Sequence, residues 1–403
     1  MTRRRPTARR RRRSRRWPRG PGWRIGLLQE APSGRRGPSP GQAPADAPGG
    51  NRDVSGRSPL PLRPGAYNPP VDAFPARVSV VICTKDRPQE LAECLGSLRR
   101  QTRLPEEVIV VDAGTRSAAA LAAAALGEAV PLRVVASAPG LPRQRNLGAA
   151  CATGDLVVFL DDDVLLEPGY LEAIVRVFAT VPGPVGGVQG TVTNRRGQTA
   201  WARLFRAAFA LNRSATAGGR MTGSGNVQWV VAPQALTRVE TLTGNNMAFP
   251  RQVLRESRFD ERLQGYALKE DMDFSYRVSR RYPLYQTPDA RLLHRRAPAG
   301  RQERTLTSRM RIVHGYYLFR KNLPQTVGNR VRFWWSLVGR VLYAAFQAAR
   351  DGHAGVVVGT LAGIGDILLG RAVPEQVFSG PPPAQPPLPG GPAHSRVPPP
   401  QRG

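Results

Sequence analysis

The chain has 403 residues and a formal net charge of +30, with 59 lysines and arginines against 29 acidic residues. This length allows one large domain or two ordinary ones, and it leaves enough chain to bury an extensive core. So basic a balance favours a nucleic acid or an anionic membrane as partner. The first 70 residues, however, contain 17 arginines and only three acidic residues. Almost half of the excess charge therefore lies in one terminal segment, which weakens the case for nucleic acid.

Both ends of the chain have the composition of disordered segments. Residues 1–75 are dense in Pro, Gly, Ser and Arg, and residues 373–403 are rich in proline, so we expect both to be disordered. A solvated tail and an anion-binding tail are both open interpretations of residues 1–75. No apolar stretch follows the N-terminal arginines, so we predict no signal peptide. The three cysteines have neither a disulfide framework nor metal-ligand spacing, which fits a reducing cytosol.

From residue 76 onward, apolar runs rich in β-branched residues alternate with helical patterns. Continuous apolar strands separated by helices indicate a parallel sheet that is buried on both faces. The predicted fold is a doubly wound α/β architecture, whose ligands bind beyond the carboxyl ends of the strands. The predicted strands are 78–83, 107–111, 132–136 and 156–160, and the predicted helices between them are 90–100, 117–126 and 142–152.

The later part of the chain departs from this alternation. Around residues 190–240 the pattern is irregular and glycine-rich, which suggests mobile loops over a site. Helical patterns return after Asp271, and two apolar segments at 331–349 and 354–370 close the folded region. Neither segment combines the length and the absence of charge that a transmembrane helix needs. Their tryptophans and flanking arginines favour interfacial amphipathic helices on anionic lipid, and core helices packed on the preceding domain are the alternative.

An acidic triplet gives the strongest signal for chemistry. Asp161, Asp162 and Asp163 follow an apolar run at 157–160. Alternate residues of an extended segment point the same way, so Asp161 and Asp163 can share one site while Asp162 faces elsewhere. Hard divalent cations prefer oxygen ligands, and they neutralise the charge of a departing diphosphate. The triplet therefore predicts a divalent-cation site, with a solvated acidic turn as the alternative.

A second acidic cluster, Glu270, Asp271 and Asp273, precedes an amphipathic helix. One carboxylate there suffices to cap the helix. Transfer of a group to a hydroxyl needs one general base, and we predict Asp271 for that role, with a cap or a charged surface as the alternative. His294 follows an apolar run at 290–293. It can complete the cation site as an imidazole ligand, or the following Arg295 and Arg296 can hold phosphate. A basic surface turn is the remaining interpretation.

These motifs resemble those of the family 2 glycosyltransferases, which have the GT-A fold. The resemblance covers about residues 76–320 and rests on several motifs in a fixed order. The motifs are VSVVICTKDRP at 78–88, VVDAG at 110–114, RNLG at 145–148, TGD at 153–155, FLDDD at 159–163, TGNNMAFPR at 243–251, and Glu270 with Asp271.

The resemblance implies a GT-A-like domain at 76–320, with a Rossmann-like, doubly wound mixed sheet, and the segment 321–372 would follow it as amphipathic, membrane-associated helices. It implies inverting transfer from a nucleoside-diphosphate sugar to a saccharide or lipid-linked acceptor, with Mg²⁺ or Mn²⁺ as cofactor. The implied catalytic residues are Asp271 and Glu270, and the cation ligands are Asp161, Asp163 and, from its own position, His294. The implied nucleotide-sugar contacts are Thr84, Asp86, Arg87, Asp112, Arg145, Asn146, Asp161, Asp162, Gly244 and Asn246.

Two other functions are open from the sequence. A nucleic-acid-binding protein would depend on the Arg-rich tail, yet its basic residues are not interleaved with stacking aromatics, so we expect no nucleic acid as partner. A sugar nucleotidyltransferase would share the α/β fold, but the turn at 83–87 contains no glycine. We therefore expect a glycosyltransferase of cell-surface polysaccharide or glycolipid synthesis. It would be cytoplasmic and peripheral on the inner face of the cell membrane.

Overall fold

The computed structural model describes residues 77–377, apart from residue 196 and residues 216–218, 264–266 and 297–302. The predicted disordered segment 1–75 lies outside the described residues, as does 378–403. Within the predicted C-terminal tail, however, a short 3₁₀ helix forms at Pro374–Val377. It packs against the α-helix at Arg304–Asn322, which precedes it in the chain. It also carries Glu375, which pairs with Arg262 at 2.5 Å.

The first half of the fold is the predicted series of strands and helices. Its strands are parallel in the order β3-β2-β1-β4. Alternate residues of β1 enter two different cores, Val80 on one face and Val81 on the other. Burial on both faces explains why these strands are continuously apolar. The elements are β1 (Val78–Thr84), α1 (Pro88–Leu98), β2 (Glu107–Asp112), α2 (Ala119–Leu126), β3 (Leu132–Ala136), α3 (Leu141–Cys151) and β4 (Leu156–Asp161).

The second half completes a nine-stranded mixed sheet. Its main path is β3-β2-β1-β4-β10-β6-β11-β5, and β9 pairs with β11. Strand β10 runs antiparallel to β4, so the α/β fold with a mixed sheet is confirmed. The elements are β5 (Val164–Leu166), α4 (Tyr170–Thr180), β6 (Gly187–Val192), α5 (Ala200–Ala208), β7 (Arg213–Ala215), β8 (Gln228–Val230), β9 (Thr237–Val239), β10 (Asn246–Pro250), α6 (Arg251–Glu256), α7 (Glu270–Ser279) and β11 (Leu284–His294).

The interpretation of residues 190–240 as loops without further sheet was wrong. This segment contains α5 and three strands, and β9 joins the main sheet. The strands have three residues each, and α5 has no buried residue. Such elements are too short, or too little buried, to produce a recognisable period in the sequence.

The topology brings separate motifs to one edge of the sheet. Cys83 of β1 lies beside Asp161 of β4, and Thr84 lies beside Asp112 of β2. Because β10 is antiparallel, its first residue, Asn246, pairs with Leu160 at the same edge. The strand order reverses between β1 and β4, and ligands of open α/β sheets bind at such a point.

Three helices close the described part of the chain, α8 (Arg304–Asn322), α9 (Val327–Asp351) and α10 (Gly355–Leu368). The predicted domain boundary at 320/321 falls in the last turn of α8, which packs closely on α10. A Cβ added to Gly359 or Gly363 would collide with the α8 backbone. In the part of the chain that the structure describes, no helix is long and apolar enough to cross a membrane.

Helix α9 is apolar on two faces. Its inner face packs Phe333 and Leu337 against Phe319 of α8. Its outer face exposes a row of apolar side chains at three- and four-residue spacing, which places them on one side of the helix. We call this row the outer stripe of α9; it consists of Val327, Val331, Trp334, Trp335, Val338, Leu342 and Phe346.

Candidate active site

An open cleft of about 540 Å³ lies beyond the carboxyl ends of β1 and β4. Residues from five separate sequence motifs line it, although they are up to about 210 positions apart in the chain. Nine of the predicted site residues are in this lining. They are Thr84, Arg87, Arg145, Asp161, Asp162, Gly244, Glu270, Asp271 and His294.

The acidic triplet separates as its alternation predicts. One ligand atom from each of Asp161, Asp163 and His294 lies within 4.8 Å of the others. Asp162 turns toward β1, where its carboxylate accepts from Thr84 Oγ1 at 2.8 Å and pairs with Arg87 at 3.1 Å. Burial raises the pKa of Asp162 to about 6, although Arg87 and Thr84 oppose the rise. Asp162 therefore anchors the turn after β1 to the end of β4.

The donor set of Asp161, Asp163 and His294 suits a hard or borderline divalent cation, since it offers two carboxylates and one imidazole. Burial raises the pKa of Asp161, and the nearby Asp163 carboxylate adds to the rise while Arg145 opposes it. The two carboxylates thus repel each other within one site, and a bound cation would relieve that repulsion. The residues present fit Mg²⁺ or Mn²⁺.

His294 is positioned by Asn245. The Asn245 Oδ1 accepts from Thr243 Oγ1 and from Asn246 Nδ2, each at 2.9 Å. Its Nδ2 is therefore directed at His294 Nδ1, 3.0 Å away. With Nδ1 as the acceptor, the ring proton is on Nε2, which lies 3.1 Å from Asp163 Oδ1. A cation held by Nε2 would need the other tautomer, in which Nδ1 carries the proton.

Arg145 joins three segments of the site from a buried position. Its guanidinium donates to the Glu270 carboxylate and to the Gly244 carbonyl at 2.9 Å, and it lies 3.4 Å from Asp161 Oδ1. Burial and the adjacent Asp271 carboxylate raise the pKa of Glu270, and Arg145 opposes this rise. Only 6% of the Glu270 side chain is exposed. Glu270 thus holds Arg145 in place at the wall of the cleft, and its catalytic role stays a prediction.

Asp271 lies in the first turn of α7 and lines the cleft. Its Oδ2 accepts from the Gly244 backbone N–H at 2.8 Å, and its Oδ1 accepts from Met272 N–H at 2.7 Å. The preceding residue, Lys269, has the left-handed conformation with φ 75°. After this turn both carboxylates line the cleft, Glu270 as a buried residue and Asp271 as a half-buried one. A carboxylate oxygen has further lone pairs for a proton or a hydroxyl.

Four predicted contact residues do not line the cleft and instead brace its loops. Asp112 accepts from the backbone N–H groups of Gly114 and Ala118, both at 2.8 Å. Asp86 accepts from Thr115 N–H at 2.9 Å. The other two, Asn146 and Asn246, are equally engaged: Asn146 bonds the Phe259 backbone through both amide atoms, and Asn246 accepts from Gly190 N–H at 2.6 Å. Their contacts with a nucleotide sugar stay predictions.

The family model described as glycosyl transferase family 2 matches residues 79–242. The family that the motifs predict is thus confirmed for residues 79–242, which make up less than half of the chain. The matched residues contain the motifs of β1, β2, α3 and β4, including the whole acidic triplet. The α/β mixed sheet is the GT-A-like fold that these motifs predict.

Three curated relatives share part of this sequence. The chain is 35% identical over 107 residues to "Uncharacterized glycosyltransferase YwdF" of Bacillus subtilis, which covers 26% of this chain and 39% of that protein. It is 32% identical over 120 residues to the glucosyl-dolichyl phosphate glucuronosyltransferase of Haloferax volcanii, covering 29% and 38%. It is 31% identical over 156 residues to the validoxylamine A glucosyltransferase of Streptomyces hygroscopicus subsp. limoneus, covering 34% of each. The matched part therefore spans well under half of each relative.

Two solved structures are similar at low identity. TarS 1–349 of S. aureus has a TM-score of 0.46 and 16% identity, covering 75% of this chain and 82% of that chain. The mannosyltransferase PcManGT from Pyrobaculum calidifontis, in complex with GDP-Man and Mn²⁺, has a TM-score of 0.48 and 16% identity, covering 77% and 91%.

Two basic residues of the cleft, Arg195 and Lys269, were missed by sequence reasoning, whereas Arg296 was considered as a phosphate ligand. Arg195, Lys269 and Arg296 all line the cleft. The Arg195 guanidinium stacks over the Trp229 ring at 5.1 Å, and burial lowers its pKa, with Arg296 adding to the effect. The only sequence signal for Arg195 was a basic pair in the glycine-rich region, and no motif surrounds it. Together with Arg87, these residues give the cleft positive charge for an anionic ligand.

Proposed function

We propose that this protein transfers a sugar from a nucleoside-diphosphate sugar to a hydroxyl acceptor with inversion at the anomeric carbon. The observation that carries the proposal is the convergence of Asp161, Asp163 and His294 within 4.8 Å at the cleft. Asp161 and His294 line this cleft together with Asp271, and Asp163 lies buried behind them. The relatives named above support it, since two are named for transfer of glucuronosyl and glucosyl groups.

The donor binds at the point where the strand order reverses. Asp161, Asp163 and His294 would hold Mg²⁺ or Mn²⁺, and the bound ion would neutralise the charge that develops on the leaving diphosphate. Arg195 and Arg296 add fixed positive charge in the same cleft. Such preorganised charge stabilises the transition state because it needs no reorganisation as the bond breaks.

Asp271 acts as the general base in this proposal. It takes the proton of the acceptor hydroxyl while the hydroxyl oxygen forms a bond to the anomeric carbon. The bond from that carbon to the diphosphate oxygen breaks, and its electron pair leaves with the diphosphate. The Gly244 N–H orients the base through its 2.8 Å hydrogen bond. General-base help contributes about 10²–10⁴-fold, and orientation of the two reactants contributes further.

Two substitutions test the proposal. Asp163→Asn and Asp271→Asn should each abolish sugar transfer from a panel of nucleotide sugars, because one loses a cation ligand and the other the base. Asp289→Asn, an exposed carboxylate on β11, is the matched control and should keep wild-type turnover. Release of nucleoside diphosphate rather than pyrophosphate separates the transferase from a nucleotidyltransferase. Wild-type turnover by both site variants would refute the assignment.

We also propose that the protein works peripherally at the inner face of the cell membrane, on a saccharide or lipid-linked acceptor of polysaccharide or glycolipid synthesis. The outer stripe of α9 supports this proposal, because exposed tryptophans and nearby arginines suit an anionic lipid interface. Leu342→Asp should reduce co-flotation with phosphatidylglycerol vesicles, whereas unchanged flotation would contradict it. Deletion of residues 1–70 should leave sugar transfer intact, since no nucleic acid is expected to take part.

A further inference from the structure

A narrow crevice lies between α7, α8 and α9, separate from the donor cleft. Its space is about 210 Å³ including its open mouth. Lys269 lines both the crevice and the cleft, and it immediately precedes Glu270 and Asp271. Arg311 of α8 and Arg340 of α9 line the crevice but not the cleft. The crevice is thus a second site. It shares one lining residue with the cleft, Lys269, which lies two positions before the proposed base, Asp271.

Three cations converge on this crevice. Burial lowers the pKa of Lys269 well below its usual range, and Arg340 and Arg311 lower it further, while Asp271 opposes them. Burial also lowers the pKa of Arg340 to about 10, and Arg311 and Arg206 add to this. These effects mean that the like charges are close enough to repel each other.

Nothing acidic balances these charges within the crevice. Among the described residues that line it, none is Asp or Glu, and the polar ones include Ser224, Asn226 and Ser336. Arg340 donates to the Asn226 side-chain oxygen. In the described part of the chain, neither Lys269 nor Arg311 forms a salt bridge of 4.0 Å or less. Clustered like charges without a counter-ion repel each other, so the arrangement favours an external anion.

Two backbone features place the Lys269 ammonium in the crevice. Lys269 keeps the left-handed conformation that favours glycine, with φ 75°. Opposite it, Gly315 of α8 leaves room, because a Cβ added to this glycine would lie 3.0 Å from Lys269 Nζ.

We propose that this crevice binds a phosphate group carried by the acceptor, between Lys269, Arg311 and Arg340. The term acceptor rests on the proposed function, but phosphate binding itself does not. As it stands, the crevice has room for about one water molecule. Arg311 is exposed, and its outward rotation opens the crevice to a phosphate. Two arginines and a lysine then give the charge-assisted hydrogen bonds that phosphate oxygens form with such groups.

The probe for this site is inorganic phosphate, added to the full-length protein while the melting temperature is measured. Wild-type protein should be stabilised by phosphate, because a bound ligand raises the apparent stability. Arg311→Gln and Arg340→Gln should each weaken the apparent dissociation constant for phosphate by about tenfold or more. Without phosphate, Arg311→Gln should melt no lower than wild type, because it relieves repulsion. Arg330→Gln, an exposed arginine of α9 outside the crevice, is the matched control.

Since Arg311 and Arg340 do not line the cleft, their loss does not report phosphate bound at the donor site. Asp163→Asn should keep the phosphate response, so failure of the sugar-transfer proposal and failure of this one are distinguishable. An equal phosphate response in wild type, Arg311→Gln and Arg340→Gln overturns the proposal. Arg340→Gln loses the hydrogen bond to Asn226. If this variant fails to fold, Arg311→Gln still tests the proposal.

The carrier of the phosphate is identified in a second measurement. One arm uses glycerol 3-phosphate as a soluble probe. The other compares two sets of phosphatidylcholine vesicles of equal surface charge. One set contains phosphatidic acid, and the other contains phosphatidylglycerol instead. Arg311-dependent preference for phosphatidic acid supports a lipid carrier, and an Arg311-dependent response to glycerol 3-phosphate alone supports a soluble one. If Arg311→Gln changes neither response, the site does not bind phosphate.

Discussion

His314 makes the stability of the fold depend on pH in a predictable direction. This residue of α8 has no exposed surface, and its Nδ1 lies 3.0 Å from the Leu268 carbonyl oxygen, two residues before Glu270. Burial lowers the pKa of His314 from 6.5 to about 4, with Lys269 lowering it and the Leu268 carbonyl opposing. The charged imidazole is thus disfavoured in the folded protein.

The sign follows from proton linkage. Between pH 6.5 and pH 4, His314 is protonated in the unfolded chain but neutral in the folded protein. The free energy of unfolding therefore has its full value above this window and falls as the pH falls through it. For these two pKa values, the loss at pH 5 is roughly 2 kcal/mol, and it approaches about 3.4 kcal/mol below pH 4.

Urea unfolding at pH 7.5 and pH 5 measures this loss. His314→Asn keeps a donor for the Leu268 carbonyl but does not titrate, so wild type should lose about 2 kcal/mol more than the variant between the two pH values. His353 is exposed, and His353→Asn should retain the wild-type pH dependence. Equal losses in wild type and His314→Asn would show that His314 is protonated without penalty in the fold.

Three further predictions concern the site and its support. Arg145→Met should lower the free energy of unfolding by about 3–5 kcal/mol, because it leaves its carboxylate partner on α7 buried and unpaired. Arg143→Met, which breaks an exposed pair, should cost under about 1 kcal/mol; similar costs for the two would refute the buried pairing. Gly148→Ala should lower the free energy of unfolding by about 1–3 kcal/mol, because the added methyl group overpacks α3 against β1. Gly169→Ala, which has open space around it, should be near neutral. The reverse order of these two losses would contradict this packing. Mn²⁺ should raise the melting temperature of wild type and not of Asp163→Asn, and an equal rise in both would place the ion elsewhere.

The sequence predicted most of the parallel half of the fold, because those strands are buried on both faces. Their apolar runs therefore stand out from the helices between them. Local geometry also predicted the separation of Asp162 from Asp161 and Asp163, since alternation along a strand end needs no knowledge of the rest of the molecule. His294 could be proposed as their partner, although its place beside β5 depends on long-range strand pairing.

The contacts that position the site residues were not predictable from the local sequence around each residue. Asn245 positions His294 across 49 residues, and Arg145 reaches Glu270 across 125. Such contacts arise from strand order, which the sequence motifs do not encode. Arg195 lies in a region of short strands and exposed helix, where the hydrophobic period is absent. The side of α9 that faces outward was equally hidden, because the helix is apolar on both faces.

The segment between β6 and β9 forms an excursion from the main sheet that reaches the cleft at Arg195. It leaves the sheet after Val192 and returns at Thr237, and both flanking strands pair with β11. The cation ligands lie outside it, on β4, just after β4 and on β11. Chimaeras that exchange this segment should therefore change which molecules the cleft accommodates and leave manganese affinity unaltered. The fold thus separates the part of the cleft that holds the ion from a part that can be replaced independently.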